Sequence, residues 1–179
     1  QTKKELKPST ILRYDYIEND IVHVIQAKIS QNTKIGEGSI IQTYHFDIDQ
    51  VLKNDLTLDN RNCLDCKFSY NQNKGKSGGC YTHKGWQLMG LKSMLRSLHR
   101  RLLKGSIKQF SFDEFNNFCE CLQGFRFDLV RFGAYGEPSL LDVPTMKSLV
   151  LFSNVNTRFT GYTHQWQKID VSFAPYVMA

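Results

Sequence analysis

Cys63 and Cys66, followed by Cys80 and His83, constrain this chain more than any other feature. The gap of two residues between Cys63 and Cys66 lets two thiolates grip one metal from a tight turn. Cys80 returns after a stretch rich in Gly, Lys, Asn and Ser, and His83 follows before the stretch closes at Gly85. Counted with His83, the set is a complete Cys3His ligand group for zinc. Counted without it, three thiolates suit an iron–sulfur cluster with one iron left open. A third reading makes them ordinary buried thiols, but the lysine- and glycine-rich stretch gives little core to bury them in. Five cysteines, three of them at metal spacing, fit a reducing cytoplasm better than a disulfide scaffold.

A chain of 179 residues with 41% hydrophobic content can bury the core of one domain. Its net charge of +6 favours anionic partners, nucleic acid first, and equally suits a lysine-bearing soluble surface. No apolar run approaches the roughly 20 residues of a membrane span, so no membrane partner is expected. No signal-peptide pattern opens the sequence, and a cytoplasmic location follows as the expectation. The sequence starts without Met and ends on an apolar stretch, 173–179, which suggests that the natural chain continues.

Residues 11–16 and 21–29 are rich in β-branched and aromatic side chains, and the turn-forming 17–20 joins them as a hairpin. A second turn at 30–39 leads to a third strand at 40–48. Residues 1–60 thus read as a small antiparallel β element within the same compact unit as residues 61–179, the metal-loop and α/β part. Residues 86–104 form the strongest helix, with Met89, Leu91, Leu95, Leu98 and Leu102 at three-to-four spacing and Gly105 as its stop. Ser111, with Glu114 three residues on, opens a helix near 112–122. Cys119 and Cys121 on that helix read as small buried apolar residues.

The remainder alternates: strand at 127–132, helix at 142–154 capped by Asp142, strand at 158–162, and a last strand at 171–178. That order implies an α/β fold with a parallel, partial (β/α)-barrel-like sheet and right-handed crossovers, preceded by the antiparallel element. In such sheets chemistry lies beyond the carboxyl ends of the strands. Two motifs fall there. The Gly133-Ala-Tyr-Gly136-Glu137-Pro138 turn has glycines that admit a ligand close to backbone and a carboxylate for an amine or hydroxyl. The Gly161-Tyr162-Thr-His164-Gln-Trp166 stretch brings Tyr162 and His164, an acid–base or anion-binding candidate, to the next strand end. Their plain readings are a surface turn and a strand end with a hydrogen-bonded His. Arg96, Arg100 and Arg101 on the long helix, with Arg131 and Arg158 in strands, are candidates for phosphate contact or for pairing with carboxylates.

Taken in order, CxxC, CY, GAYGEP, GYTHQW and APYVMA resemble a group of uncharacterised bacteriophage and plasmid proteins. A weaker similarity is to radical S-adenosylmethionine enzymes. That resemblance implies Cys63, Cys66 and Cys80 as ligands of a [4Fe–4S] cluster. It also implies the 136–138 turn, with Gly133 nearby, as the site for the amino group of S-adenosylmethionine. The spacing departs from the usual C-x3-C-x2-C of that superfamily.

The expectation is therefore a metalloprotein with a radical-enzyme-like fold that acts on or binds nucleic acid or a nucleotide. Cys63, Cys66 and Cys80 would hold metal, and Glu137, Tyr162 and His164 would line the pocket. The alternative is a non-catalytic zinc-stabilised protein, with His83 as fourth ligand, that binds nucleic acid or a host partner.

Overall fold

The computed structural model describes residues 3–31, 38–70, 72, 80–151 and 156–178. Strand β1 (Leu12–Glu18) and strand β2 (Ile21–Ser30) pair antiparallel from Leu12 opposite Ala27 to Glu18 opposite Ile21. Asn19 and Asp20 carry φ of 51° and 61°. Two left-handed residues in a row are what a two-residue hairpin turn matched to strand twist requires, and Asn and Asp tolerate them. Strand β3 (Gly38–Asp47) returns antiparallel to β2. Most of the second turn, 32–37, lies outside the described residues.

Asp47 both ends β3 and opens helix α1 (Ile48–Lys53) through a capping box with Gln50. A short helix α2 (Asn60–Cys63) then delivers the cysteine segment. Helix α3 (Gly85–Leu103) packs Leu91, Leu95 and Leu98 against Val22, Val24, Phe46 and Val51. Burying each such side chain is worth roughly 1.5–3 kcal/mol. Gly105 follows at φ 66°, and the chain crosses to the far edge of the sheet. There strand β4 (Lys108–Gln109), not foreseen in the sequence, lies parallel to β1.

Helix α4 (Phe112–Gln123) covers the opposite face. Its Phe115, Phe118 and Leu122 meet Tyr14, Ile25, Ile41 and Val130. Strand β5 (Leu129–Tyr135) then enters beside β3 in parallel. Helix α5 (Val143–Leu151) places Met146 and Leu149 on the α4 face, and strand β6 (Arg158–Gly161) adds parallel to β5. The order is β4-β1-β2-β3-β5-β6. This is the α/β class expected, with the antiparallel hairpin units joined through β3 to a parallel β3-β5-β6 half. Among the described residues no helix is long and apolar enough to cross a membrane.

Two expectations need correction. The last strand expected at 171–178 is instead a 3-10 turn (Val171–Phe173) capped by Asp170, with one bridge between Met178 and Tyr162. Pro175 has no N–H to give a ladder, and Phe173 is drawn into the core against Phe132. Of the two α4 cysteines, Cys119 is buried but Cys121 is exposed, because a two-residue step turns a helical side chain to another face.

Candidate functional site

The parallel strands β3, β5 and β6 all end on the same side, and the segments that follow them meet there. After β3 comes α2 with the cysteines, after β5 the 133–138 turn, and after β6 the 161–166 stretch. Together they line a cavity of about 70 Å³ whose walls include Cys63, Cys66, Cys80, Gly133, Gly136, Glu137, Tyr162 and His164. The three sequence-predicted cysteines and both strand-end motifs are thus brought to one cleft. His83 does not line it.

Cys63 is the last residue of α2, and Leu64 follows in a turn at φ 48°. The Cys66 N–H donates to the Cys63 carbonyl at 3.0 Å, and the Ser69 N–H donates to Cys66 at 3.1 Å, so the CxxC backbone is wound into consecutive turns. The Cys80 Sγ sits 2.9 Å from the Thr82 hydroxyl. Burial pushes the Cys63 thiol well above its usual range, and the neighbouring Asp59, Cys66, Cys80 and Glu137 push it further. Burial likewise raises Cys66. Among the described residues no three His, Cys, Asp or Glu side chains already converge closely enough to hold a metal ion. Asn71 and residues 73–79, between Cys66 and Cys80, lie outside the described residues.

His83 is 5% exposed and stacks on Tyr70 with ring centroids 4.4 Å apart. Neither ring nitrogen has a hydrogen-bond partner among the described residues. Burial holds its pKa below the usual histidine value.

Glu137 ties the three segments together. Its backbone N–H donates to the Asn62 carbonyl, next to Cys63, at 2.8 Å. Its carboxylate accepts from the Thr163 hydroxyl and, at 3.0 Å, from the His164 N–H. The carboxylate expected to meet a ligand amine or hydroxyl therefore has the protein's own donors on both oxygens. Gln165 adds a second tie by donating to Asp65, inside the CxxC turn. Tyr162 and His164 keep exposed side chains at the rim of the cleft, the His164 ring 6.4 Å from Phe68.

The glycines earn their positions by contact. Gly133 has φ 65°, and a Cβ there would lie 2.7 Å from Pro138 Cγ. Gly136 has φ 78°, and a Cβ there would collide with the His45 carbonyl. Both turns are pressed against protein, which fixes the cleft wall.

The five arginines do not form one patch. Arg101 pairs with the buried Asp15, which also holds Arg13 at 2.7 Å. Arg96 and Arg100 are exposed on α3 beside Ser93 and His99. Arg158 begins β6, away from the carboxyl ends, and Arg131 faces a different cavity, on the α3 side of the sheet. Sequence reading passed over His23, His45, Thr43, Asn62 and Lys28. Strand alternation puts His23, Thr43 and His45 on one face of β2 and β3 and Lys28 on the other, while Asn62 belongs to α2.

Comparison with protein families, curated proteins and solved structures gives no significant match to this chain.

Proposed function

We propose that this protein is a metalloprotein of phage or plasmid type in which Cys63, Cys66 and Cys80 hold an iron–sulfur cluster at the strand-end cleft. S-adenosylmethionine is its proposed second cofactor, bound beside the 136–138 turn, and a nucleotide or nucleic acid its proposed substrate class. The observation that carries this reading is the convergence of all three cysteines and both glycine-bearing turns on one cleft at the ends of parallel strands. A cluster so held supplies one-electron reduction. Gly133 and Gly136 let the turn sit tight against Pro138 and His45, Glu137 holds the three segments in register, and Tyr162 and His164 supply polar groups at the rim. Loading requires the three sulfurs to draw together.

The test is metal, sulfide and visible absorbance of protein purified without oxygen. Iron with matching sulfide and a brown colour that reductant bleaches is the expected result. Serine at Cys63, Cys66 or Cys80 should abolish it, and serine at Cys119 should not.

A second reading is a zinc-stabilised binding protein with Cys63, Cys66, Cys80 and His83 as ligands. It is favoured by the two partnerless, buried nitrogens of His83. About one zinc per colourless chain, lost in His83→Ala, would establish it and sink the cluster.

A further inference from the structure

A second cavity, of about 250 Å³, lies between the amino-terminal half of α3 and the sheet, and it shares Thr82 and Ala134 with the cysteine cleft. Lys28 and Arg131 line it, and among the described residues no Asp or Glu does. The rest of the wall divides in two. Gln42, Tyr44 and Ser30 are polar, whereas Ile40, Leu91 and Met94 are apolar. Gly90 leaves the helix side of the cavity open, since a Cβ there would meet nothing within 4 Å.

Lys28 is half-buried, and no hydrogen bond or ion pair to it occurs among the described residues. Burial lowers its pKa. A desolvated ammonium without a partner is costly, and an anion in the cavity would remove that cost. The Tyr44 hydroxyl, which donates to Gln42 Oε1 at 2.9 Å, lies near both Arg131 and Arg13. One Arg13 Nη is buried without a hydrogen-bond partner.

We propose that this cavity binds a small phosphomonoester through Lys28 and Arg131, with the rest of the ligand packed on Ile40, Leu91 and Met94 and reaching toward the cysteine cleft. A phosphate group can accept from Lys28 and Arg131 at once through its three terminal oxygens, which a carboxylate with two cannot do as fully. The thioether of Met94 and the branched side chains suit a flat or apolar group. An enclosure of this size takes one small molecule rather than a folded or double-stranded nucleic acid. As a statement about substrate, the inference rests on the cleft being the reactive site. As a statement about binding, it stands alone.

The experiment is calorimetric titration of the full chain with adenosine monophosphate, adenosine, inorganic phosphate and an unphosphorylated single-stranded oligonucleotide. Adenosine monophosphate should bind, and adenosine at least about tenfold more weakly. Lys28→Ala should weaken the nucleotide by about 10–100-fold, the range of one charge-assisted hydrogen bond, while Lys28→Arg retains most of the affinity. Gly90→Leu adds bulk to the helix wall of the cavity while both cations stay in place and should weaken binding at least about tenfold, so a misfolded Lys28 variant would not leave the matter undecided. Cys63→Ser should lose metal and keep nucleotide affinity, which separates failure of this inference from failure of the metal reading. No binding of adenosine monophosphate, equal binding by Lys28→Ala, or Lys28-dependent binding of the oligonucleotide alone would each overturn the proposal.

Discussion

The Nδ1 atoms of His23 and His45 lie 2.9 Å apart inside the sheet, with both imidazoles buried. One ring must donate and the other accept. His45 Nε2 lies 3.2 Å from the Thr43 hydroxyl, and Thr43 accepts from the Gly133 N–H at 2.9 Å. A chain of hydrogen bonds thus runs from the first hairpin to the turn that walls the cleft.

Both histidines in that chain must stay neutral. Burial lowers the pKa of His23 to about 4, although the Glu18 backbone and Asp142 oppose the fall. Burial and the adjacent His23 lower His45 well below the usual value. A depressed folded-state pKa means that the unfolded chain binds the proton first. Stability is therefore fully present above pH 6.5 and falls as pH drops toward 4, by about 3 kcal/mol from His23 alone. His23→Asn keeps an acceptor near Nδ1 and removes the titration. Urea unfolding at stepped pH should show a shallower acid slope for this variant. An unchanged slope would mean that other groups set the acid limit.

Gly136 and Gly105 share a left-handed backbone but not surroundings. At Gly105, φ 66°, a Cβ meets nothing within 4 Å, so Gly105→Ala should cost about 1–2 kcal/mol. At Gly136 the Cβ would meet the His45 backbone, and Gly136→Ala should cost about 3–5 kcal/mol. Thermal unfolding of the pair checks the difference. Equal losses would show that the turn yields without strain.

Glu137 is 4% exposed and its carboxylate answers donors from Thr163 and His164. Glu137→Ala leaves those donors unmet and should cost about 3 kcal/mol, while Glu137→Gln, which retains an acceptor, should cost about 1–2 kcal/mol. Hydrogen exchange at the His164 amide should accelerate in the alanine variant. Protection equal to wild type would mean that the 161–166 stretch holds itself.

Arg101 should matter for folding, and Arg100 should not. Asp15 is fully buried in its side chain and holds Arg13 and Arg101, the latter 39% exposed. Arg101→Ala leaves that carboxylate with one cation and should cost about 1–2 kcal/mol after allowance for solvent screening. Arg100→Ala, at an exposed position without such a partner, should stay within about 0.5 kcal/mol. Denaturant midpoints of the two variants provide the comparison.

The hairpin, the long helix, the α4 cap and the strand–helix–strand succession of β5, α5 and β6 were legible because each rests on local chemistry. Asn19–Asp20 suits only a tight turn, Leu91, Leu95 and Leu98 repeat at helical spacing, and Ser111 accepts from the Glu114 N–H. The motifs at strand ends were legible for the same reason: glycine and proline mark the ends themselves. The expected strand at 171–178 failed because apolar alternation was weighed above Pro175 and above the pull of Phe173 into the core.

By itself the sequence determined the α/β class, the positions of most elements, and the residues from which a cleft at the strand ends would be drawn. Tertiary structure alone decided what those residues face. It stacked His83 on Tyr70, bound Glu137 to Thr163 and His164, paired His23 with His45, and sent Arg101 and Arg131 to different places. The physical reason is range. Turn, cap and periodicity preferences act over a few residues, whereas burial and hydrogen-bond partners are fixed only when β3, β5 and β6 lie side by side.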